Sequence, residues 1–286
     1  MISVIICSID DGLLQAVSAN IGQTIGVPFE LVVIRNREKG YSLTKAYNTG
    51  AAASRYPFLC FVHEDVRFLT ADWGKTVTRH LQEEGAGLVG VAGGCYKSII
   101  PSSWSVFKEL RGINIVQGHR FSSREKFTHT EKPDGCSGDY LDVVTVDGVF
   151  MASPKAVWEK HPFDEALLQG FHGYDTDFSL QVGQHYRVRV IYDLLLEHFS
   201  EGQPGRAWME SALRISYKWR KSLPSSVQTF SPQEERRRHR QARRLFFRKL
   251  LRLPFSWGER WRLMLYYSRS IRRLQSDPRP PLTGER

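Results

Sequence analysis

The sequence predicts an α/β fold with a mostly parallel sheet flanked by helices. Four short apolar runs are almost continuously hydrophobic, as strands buried on both faces are. They span 3–8, 29–35, 57–62 and 87–92. Amphipathic segments that suit helices lie between them, at about 12–25, 42–54 and 72–84. This alternation is typical of a doubly wound sheet, and 286 residues with 41% hydrophobic content can supply its core.

The pattern breaks between residue 95 and about residue 141, where Ser, Gly, Pro and Thr are frequent. A loop of this length in a compact domain is usually functional, and we expect it to close over a ligand or to shape a binding site. Regular structure resumes at 141–153, where Ser153 and Pro154 suit the N-cap and first position of the next helix. A helix over 175–186 and a strand over 187–192 follow.

The charge is divided unevenly along the chain. Residues 206–286 carry 21 Lys and Arg against 6 Asp and Glu, a net charge of +15. Since the whole chain carries +10, residues 1–205 have a net charge of −5. We therefore predict an α/β domain over 1–205 and a basic, aromatic-rich helical extension over 206–286.

Within the extension, residues 236–255 have the pattern of an amphipathic helix. Its apolar residues at helical spacing are Phe246, Phe247, Leu250 and Leu251, and its charge comes from arginines such as those at 240, 243, 244 and 248. Two interpretations are open. The helix could lie on an anionic membrane surface, or its apolar face could pack on the main domain and leave the arginines in solvent.

The cysteines and the N-terminus bear on the cellular compartment. The four cysteines, at positions 7, 60, 95 and 136, have no paired metal-ligand spacing, so we expect reduced thiols. The N-terminal segment meets Asp10 and Asp11 after a few apolar residues, unlike a secretory signal. No run approaches the roughly 20 apolar residues of a spanning helix. These features predict a cytoplasmic protein, peripheral at the inner face of the membrane if the extension binds there.

Polar side chains follow the third apolar run, which reads FLCFV and stops at His63, Glu64 and Asp65. In an open α/β sheet, ligands bind beyond the carboxyl ends of the strands, where the loops converge. Carboxylates there can hold a divalent cation, which can neutralise the phosphates of a nucleotide. A structural interpretation is also open, in which Asp65 or Asp72 caps the following helix.

The residues before these acids carry a resemblance to a known family. Asn48 and Gly50 precede a run of small residues, then the apolar strand, then the acids. This order resembles glycosyltransferase family 2, nucleotide-sugar transferases of the GT-A (Rossmann-like) type, in the branch with an HED-type variant of the D-x-D motif. The resemblance covers about residues 1–202. It implies a nucleoside diphosphate sugar as donor, with a UDP-sugar favoured, and Mn²⁺ or Mg²⁺ as cofactor.

The resemblance also implies roles for the acid and histidines of the metal side. Asp65 takes the third position of the acidic motif, which reaches the metal in the family. His63 stands where the motif usually begins with Asp, and its implied place, with Glu64, is beside the nucleotide. His198 corresponds to a late histidine that completes the metal shell in several GT-A enzymes, and imidazole suits manganese. For either histidine, a structural role bonded to the backbone is the alternative.

The acceptor side of the family corresponds to residues 146–181. The resemblance implies an inverting transfer to a hydroxyl of a glycan or lipid-linked glycan, which needs a carboxylate to take the hydroxyl proton. Aligned with the family's acid pair, Asp175 is the candidate base and Asp177 its rival, although Asp175 could also serve only the helix dipole. Asp147 is implied to face the donor sugar or acceptor, where Gly148 lets the backbone approach closely.

Contacts to the nucleotide sugar are implied at the ends of the first two strands, where family members grip the base and ribose. The residues there are Cys7, Ser8, Ile9, Arg35 and Asn36. Arg35 replaces the acid more usual after the second strand. Asn48 belongs to the same implied set, as does Lys45, which could meet a phosphate or be merely solvated.

A second class of function is open as well. The chain could keep a GT-A-like fold without catalysis and bind nucleic acid or an anionic membrane through its basic helices. The total charge favours this hypothesis, but no nucleic-acid-binding motif appears, so nucleic acid is the disfavoured partner. Metal-dependent sugar transfer is the leading hypothesis.

Overall fold

A seven-stranded, mostly parallel sheet lies at the centre of the computed structural model, which describes residues 1–118, 127–134, 136, 138–199 and 205–276. The strands are β1 (Ile2–Ser8), β2 (Phe29–Arg35), β3 (Phe58–Val62), β4 (Val66–Phe68), β5 (Ala86–Gly90), β6 (Ala92–Gly94), β7 (Tyr96–Lys97), β8 (Arg111–Gln117), β9 (Phe127–Glu131), β10 (Tyr140–Val143), β11 (Thr145–Val146), β12 (Phe150–Pro154), β13 (Arg187–Ile191), β14 (Leu196–His198) and β15 (Ser225–Ser226). The helices are α1 (Asp11–Thr24), α2 (Asn36–Lys39), α3 (Leu43–Ala53), α4 (Trp73–Gln82), α5 (Lys155–Lys160), α6 (Tyr174–Val182), α7 (Arg206–Lys218), α8 (Pro232–Arg252) and α9 (Trp257–Ser276).

The central sheet has the order β10-β13-β5-β12-β3-β1-β2. Strand β1 is parallel to both β2 and β3, and β13 is parallel to β5, whereas β12 and β10 run antiparallel to their neighbours. Ile5 on β1 and Phe61 on β3 are fully buried, as the continuous apolar runs predict for strands covered on both faces. The predicted mostly parallel sheet flanked by helices is confirmed.

Strand β12 runs against β3, so its beginning lies at the edge where β3 ends. The His63 amide, just past β3, donates to the Val149 carbonyl at 3.2 Å. This pairing sets the loop containing Asp147 and Gly148 beside the polar residues that follow β3. Residues more than 80 positions apart in the sequence therefore share one edge of the sheet.

A second sheet, in the order β11-β6-β8-β14-β4 with β9 beside β8, occupies part of the segment predicted as a loop. The prediction of a loop from 95 to about 141 is wrong for β8, whose middle residue Asn114 is polar yet buried. The Asn114 amide donates to the carbonyls of Tyr192 and Leu194, so its polarity is satisfied inside the fold. Part of the predicted loop, 119–126, lies outside the described residues.

The helix after β12 begins one residue later than the sequence predicts. Pro154 ends β12 and precedes α5 without a side-chain cap. The Ser153 hydroxyl is buried and donates to the Gly87 carbonyl at 2.7 Å, so it stabilises the contact with β5 instead of capping the helix.

The C-terminal helices pack on the same apolar core as the α/β part. Phe246 and Leu250 on α8 are buried in a cluster that includes Met209 on α7 and Phe178 on α6. Two interpretations were open for 236–255. Phe246 and Leu250 agree with the one in which the helix packs on the protein, because both side chains are buried. Leu251 is 42% exposed.

In the described part of the chain, no helix is both long enough and apolar enough to cross a membrane.

Candidate active site

A cavity of about 330 Å³ opens at the edge of the central sheet where β3 ends. Its wall comes from the loop after β3, the loop before β12, the start of α6, β14 and the C-terminal helices. The lining residues are His63, Ser102, Ser103, Trp104, Asp147, Gly148, Phe171, His172, Gly173, Tyr174, Asp175, Thr176, His198, Trp208, Ala212, Ile215 and Lys249. Five of the predicted site residues thus share one cavity.

Asp65 lies against this cavity with two histidines. Strand β14 pairs with β4 so that His198 lies opposite Val66, the residue after Asp65. His198 Nε2 is 3.5 Å and His63 Nδ1 is 3.8 Å from Asp65 Oδ1, and one ligand atom from each residue falls within 4.8 Å of the others. Although burial opposes it, hydrogen bonding to His198 and the charges of both histidines lower the pKa of Asp65.

The arrangement keeps His63 in the form that can ligate a metal. Burial, and next the neighbouring His198, lower the pKa of His63, which favours the neutral imidazole. Its Nε2 lies 2.7 Å from the buried Tyr174 hydroxyl, which fixes the ring and leaves Nδ1 on the side of Asp65. The resemblance placed His63 beside the nucleotide; the fold places it with Asp65 and His198.

The described residues contain a second cluster, His80, Asp139 and Asp193, whose ligand atoms also lie within 4.8 Å of one another. Here Arg79 donates to both carboxylates, at 2.9 Å for Asp139, and His80 Nε2 lies 3.0 Å from Asp193. A guanidinium already supplies the positive charge, so this cluster is an ion-pair network.

Asp175 lies in the first turn of α6 and lines the cavity. One carboxylate oxygen accepts from the Gly148 amide at 3.2 Å and the other from the Thr176 amide at 2.7 Å. Burial, and next the Asp147 carboxylate, raise the pKa of Asp175 to about 7, against these two amides and the charge of Lys97. A carboxyl group with this pKa can take a proton near neutral pH.

Gly148 permits the close contact between the loop before β12 and α6. A Cβ atom at this position would collide with the hydroxyl of Tyr174. The absence of a side chain lets the Gly148 amide reach Asp175. The close backbone approach expected of Gly148 is therefore an approach to another part of the protein.

Asp177, the rival base, does not line the cavity. Its carboxylate is buried and accepts from Lys218 Nζ at 2.8 Å and from Trp219 Nε1 at 2.7 Å, both beyond the cavity near the end of α7. Although burial raises the pKa of Asp177, Lys218 and Trp219 oppose this shift. The carboxylate joins α6 to α7 and has no free face toward the site.

Glu64 faces the end of β1 instead of the cavity. It accepts from the Ser8 hydroxyl at 2.6 Å, the Ile9 amide at 3.2 Å and the Asp10 amide at 3.1 Å. Burial, and next Glu64, raise the pKa of the Cys7 thiol to about 11, so this cysteine is a neutral thiol. Glu64 therefore shapes the turn between β1 and α1.

The predicted residues after β2 have partners of their own. Asn36 is buried and its amide bonds both the carbonyl and the amide of Tyr41, which closes the loop after β2. Arg35 is exposed and pairs with Asp11 at 2.6 Å. A second group of predicted residues thus lies at the ends of β1 and β2 and includes Glu64. It adjoins the cluster of His63, Asp65 and His198, because Glu64 lies between His63 and Asp65 in the sequence.

On α3, Lys45 lies beside the loop that Asn36 closes, whereas Asn48 is bonded to another part of the protein. Lys45 is exposed, with Nζ 4.4 Å from the centroid of the Tyr41 ring. The Asn48 amide donates to the carbonyl of Phe163 and accepts from Trp158 Nε1 and the Phe163 amide, all within 3.0 Å. These bonds connect α3 to the segment around α5. They give Asn48 a structural role that does not require a bound ligand.

Several residues in the cavity wall or directly behind it were not predicted from the sequence. Lys97 is fully buried, and its Nζ donates to the carbonyls of Ser102 and Ser103, which line the cavity. Burial lowers the pKa of Lys97 to about 7, opposed by Asp175. Trp208 and Lys249 come from the C-terminal helices, and no motif signals them. The sequence offered one indication that Lys97 is buried, which is its position in a segment with several apolar residues.

The chain is similar to a known family of proteins. A family model described as "Glycosyltransferase like family" matches residues 3–209. No curated protein sequence matches the chain.

Among solved structures, S. aureus TarS 1–349 has a TM-score of 0.55 at 11% identity, covering 96% of this chain and 82% of its own. GalNAc-T7, solved with UDP, GalNAc and Mn²⁺, has a TM-score of 0.50 at 10% identity, covering 77% of this chain. The match spans 48% of the GalNAc-T7 chain, about half its length. Identities this low show the fold alone, which is the predicted GT-A type. With the family match spanning most of its length, the chain belongs to this glycosyltransferase-like family.

Proposed function

We propose that this protein is an inverting, divalent-metal-dependent hexosyltransferase, which moves a sugar from a nucleoside diphosphate sugar to a hydroxyl of a glycan or lipid-linked glycan. One observation carries the proposal. A carboxyl group with a pKa near 7, Asp175, shares a cavity with two histidines that cluster with Asp65. The first group can accept a proton, and the cluster can hold a cation.

The donor atoms of His63, Asp65 and His198 fit a divalent cation. Two imidazoles with one carboxylate suit Mn²⁺, with Mg²⁺ as the alternative, and their spacing allows all three to reach a common ion. When bound, such a cation would supply positive charge that stabilises the departing diphosphate. A UDP-sugar is the favoured donor because GalNAc-T7, which has the same fold, is solved with UDP and Mn²⁺.

Asp175 acts on the acceptor in this proposal. As the acceptor oxygen forms its bond to the anomeric carbon, the bond from that carbon to the diphosphate oxygen breaks, and the hydroxyl proton passes to Asp175. The amides of Gly148 and Thr176 hold the carboxylate in place for this step. Asp147, which also lines the cavity, raises the proton affinity of Asp175. In this proposal it faces the donor sugar or the acceptor.

The first test uses the full-length chain with UDP-sugars and GDP-sugars, each with Mn²⁺ or with a chelator. We expect release of the nucleoside diphosphate from at least one donor in Mn²⁺, through slow transfer to water, and its loss in chelator. The anomeric configuration of the product, read by NMR, should be inverted. If every donor fails both to release its nucleotide and to stabilise the protein thermally, the non-catalytic alternative is favoured.

We also propose that α9 contacts an anionic membrane surface. Trp257, Trp261 and Leu265 recur every four residues along one side of α9 and are 79%, 65% and 48% exposed. The exposed arginines of α9, such as Arg262 and Arg269, lie near this stripe and suit acidic headgroups. Exposed tryptophans beside arginines favour a membrane interface over solvent.

Flotation of the protein with phosphatidylglycerol-containing vesicles tests this contact. Burying a large apolar side chain contributes about 1.5–3 kcal/mol, so the double change Trp257→Ser and Trp261→Ser should lower vesicle binding at least about tenfold. Leu69→Ser, at an apolar residue that is 42% exposed on the α/β part, is the control and should bind like the parent. Equal flotation of the parent and the double variant would contradict the proposal.

A further inference from the structure

The C-terminal helices place a cation in the wall of the candidate active site. Lys249, on α8, lines the cavity that contains Asp175. Its Nζ lies 3.7 Å from the centroid of the Trp208 ring on α7, so the two helices hold the ammonium group against an aromatic face. The side chain is partly buried, and burial lowers the pKa of Lys249.

Lys249 has no carboxylate partner in the described part of the chain. Lys249 makes a cation–π contact with Trp208, and the shift in the pKa of Lys249 is caused by burial. Partly desolvated ammonium groups normally lie beside a compensating anion. The cavity wall therefore holds a positive charge that an anionic ligand can compensate.

A second cavity, of about 450 Å³, adjoins the first across Lys249. The two cavities share Ser102, Ser103, Trp208 and Lys249. The other residues that line the second cavity are Pro101, Ser105, Val106, Ala242, Leu245, Phe246, Arg248 and Arg252. Its lining thus contains three cations and no acid, together with three serines and several apolar side chains.

We propose that Lys249, with Arg248 and Arg252, binds a phosphate group carried by the acceptor. Guanidinium and ammonium groups beside serine hydroxyls are typical ligands of phosphate oxygens. The apolar side chains of the same cavity suit the remainder of such a molecule. The proposal rests on the function proposed above, because it takes the cavity beside Asp175 as the place where the acceptor hydroxyl lies.

The position of these cations favours the acceptor over the donor as the source of the phosphate. The donor diphosphate belongs beside His63, Asp65 and His198 in the proposed function. None of these three residues lines the second cavity, which extends along α8. An acceptor that reaches from Asp175 into the second cavity would place its phosphate on Lys249.

The test measures binding of inorganic phosphate to the full chain by titration calorimetry at constant ionic strength, with UDP and Mg²⁺ saturating the donor side. We expect phosphate to bind under these conditions. Lys249→Met, which keeps the length of the side chain and removes its charge, should weaken this binding about tenfold or more. Lys249→Arg should restore it to within about threefold of the parent.

Lys75→Met is the matched control, because Lys75 is an exposed lysine on α4 that lines neither cavity. It should leave phosphate affinity unchanged, and thermal unfolding should show that all variants are folded. Equal phosphate affinity in Lys249→Met and the parent would overturn the proposal. Phosphate binding that disappears when UDP is bound would also overturn it, by assigning Lys249 to the donor. Failure of UDP itself to bind with metal would instead count against the proposed function.

Discussion

Replacement of Asp175 by asparagine should lower the rate of sugar transfer by about 10²- to 10⁴-fold, the range typical of the loss of a general base. Asparagine has nearly the same shape and can still accept a hydrogen bond from Thr176 or Gly148, but it cannot take a proton. Donor affinity should therefore change little. Measurement of turnover and of donor binding by calorimetry on the same preparation separates the two effects.

Asp177→Asn is the matched control for this prediction, since it makes the same chemical change two residues away on α6. The Asp177 carboxylate is bonded to Lys218 and Trp219 inside the protein. Loss of the charge weakens the hydrogen bonds to Lys218 and Trp219 and should lower the free energy of unfolding by up to about 3 kcal/mol, while folded molecules keep their turnover. If Asp175→Asn retained transfer and Asp177→Asn lost it, Asp177 would be the base.

The same assay, run against pH, reports the state of Asp175. Burial, and next Asp147, raise the pKa of Asp175 to about 7, so the carboxylate that accepts the proton disappears as the pH falls. Turnover should decline tenfold per pH unit on the acid side. A bound cation would lower this pKa, so the acid-side decline in turnover should be centred at or below a pH of about 7. Asp147→Asn should shift this decline to lower pH, and a decline that stays at the same pH would contradict the assignment.

Replacement of Asp65 by asparagine should abolish the metal dependence of donor binding. Asp65 is the one carboxylate of the cluster with His63 and His198. The loss of outer partners of a metal ligand already costs 10- to 100-fold in metal affinity, so we expect the loss of the ligand itself to cost more than about 100-fold. Calorimetric titration of UDP, with and without Mn²⁺, measures the difference directly.

Asp139→Asn provides the comparison for this change. Asp139 belongs to the other histidine and carboxylate cluster of the described residues, where Arg79 is already paired with it at 2.9 Å. This variant should bind UDP with the same dependence on Mn²⁺ as the parent. A response equal to that of Asp65→Asn, or an unchanged response in Asp65→Asn, would remove Asp65 from the metal site.

The central sheet was predictable because its strands are buried on both faces. The run FLCFV at 58–62 has to be apolar because four of its five residues are buried, and a short apolar run between amphipathic segments has few other structures available. Strand β8 escaped prediction because Asn114 satisfies its amide through carbonyls from the segment 192–194. No local pattern can show that a polar residue will find buried partners from another part of the chain.

The candidate site was predictable in part, for the same reason. Strand ends converge at one edge of a sheet, so acids after β3 and before β12 could be expected to meet. The directions of individual side chains could not be predicted. Asn48 lies in the motif that carries the resemblance, yet its amide is bonded to Trp158 and Phe163. His63 lies with Asp65 and its ring is bonded to Tyr174, two contacts that the sequence did not indicate, while its place beside the nucleotide stays a prediction.

The sequence by itself determined the class of the fold, the edge at which polar groups collect, and the residue types that suit a cation and a proton acceptor. These features depend on periodicity and on the order of the elements, which are local properties of the chain. Only the tertiary structure decided which carboxylate faces the cavity. Asp175 and Asp177 are two residues apart on α6, and the fold directs one to the cavity and the other to Lys218. It also brought Trp208 and Lys249 to the cavity, because the packing of α7 and α8 depends on apolar contacts across the whole chain.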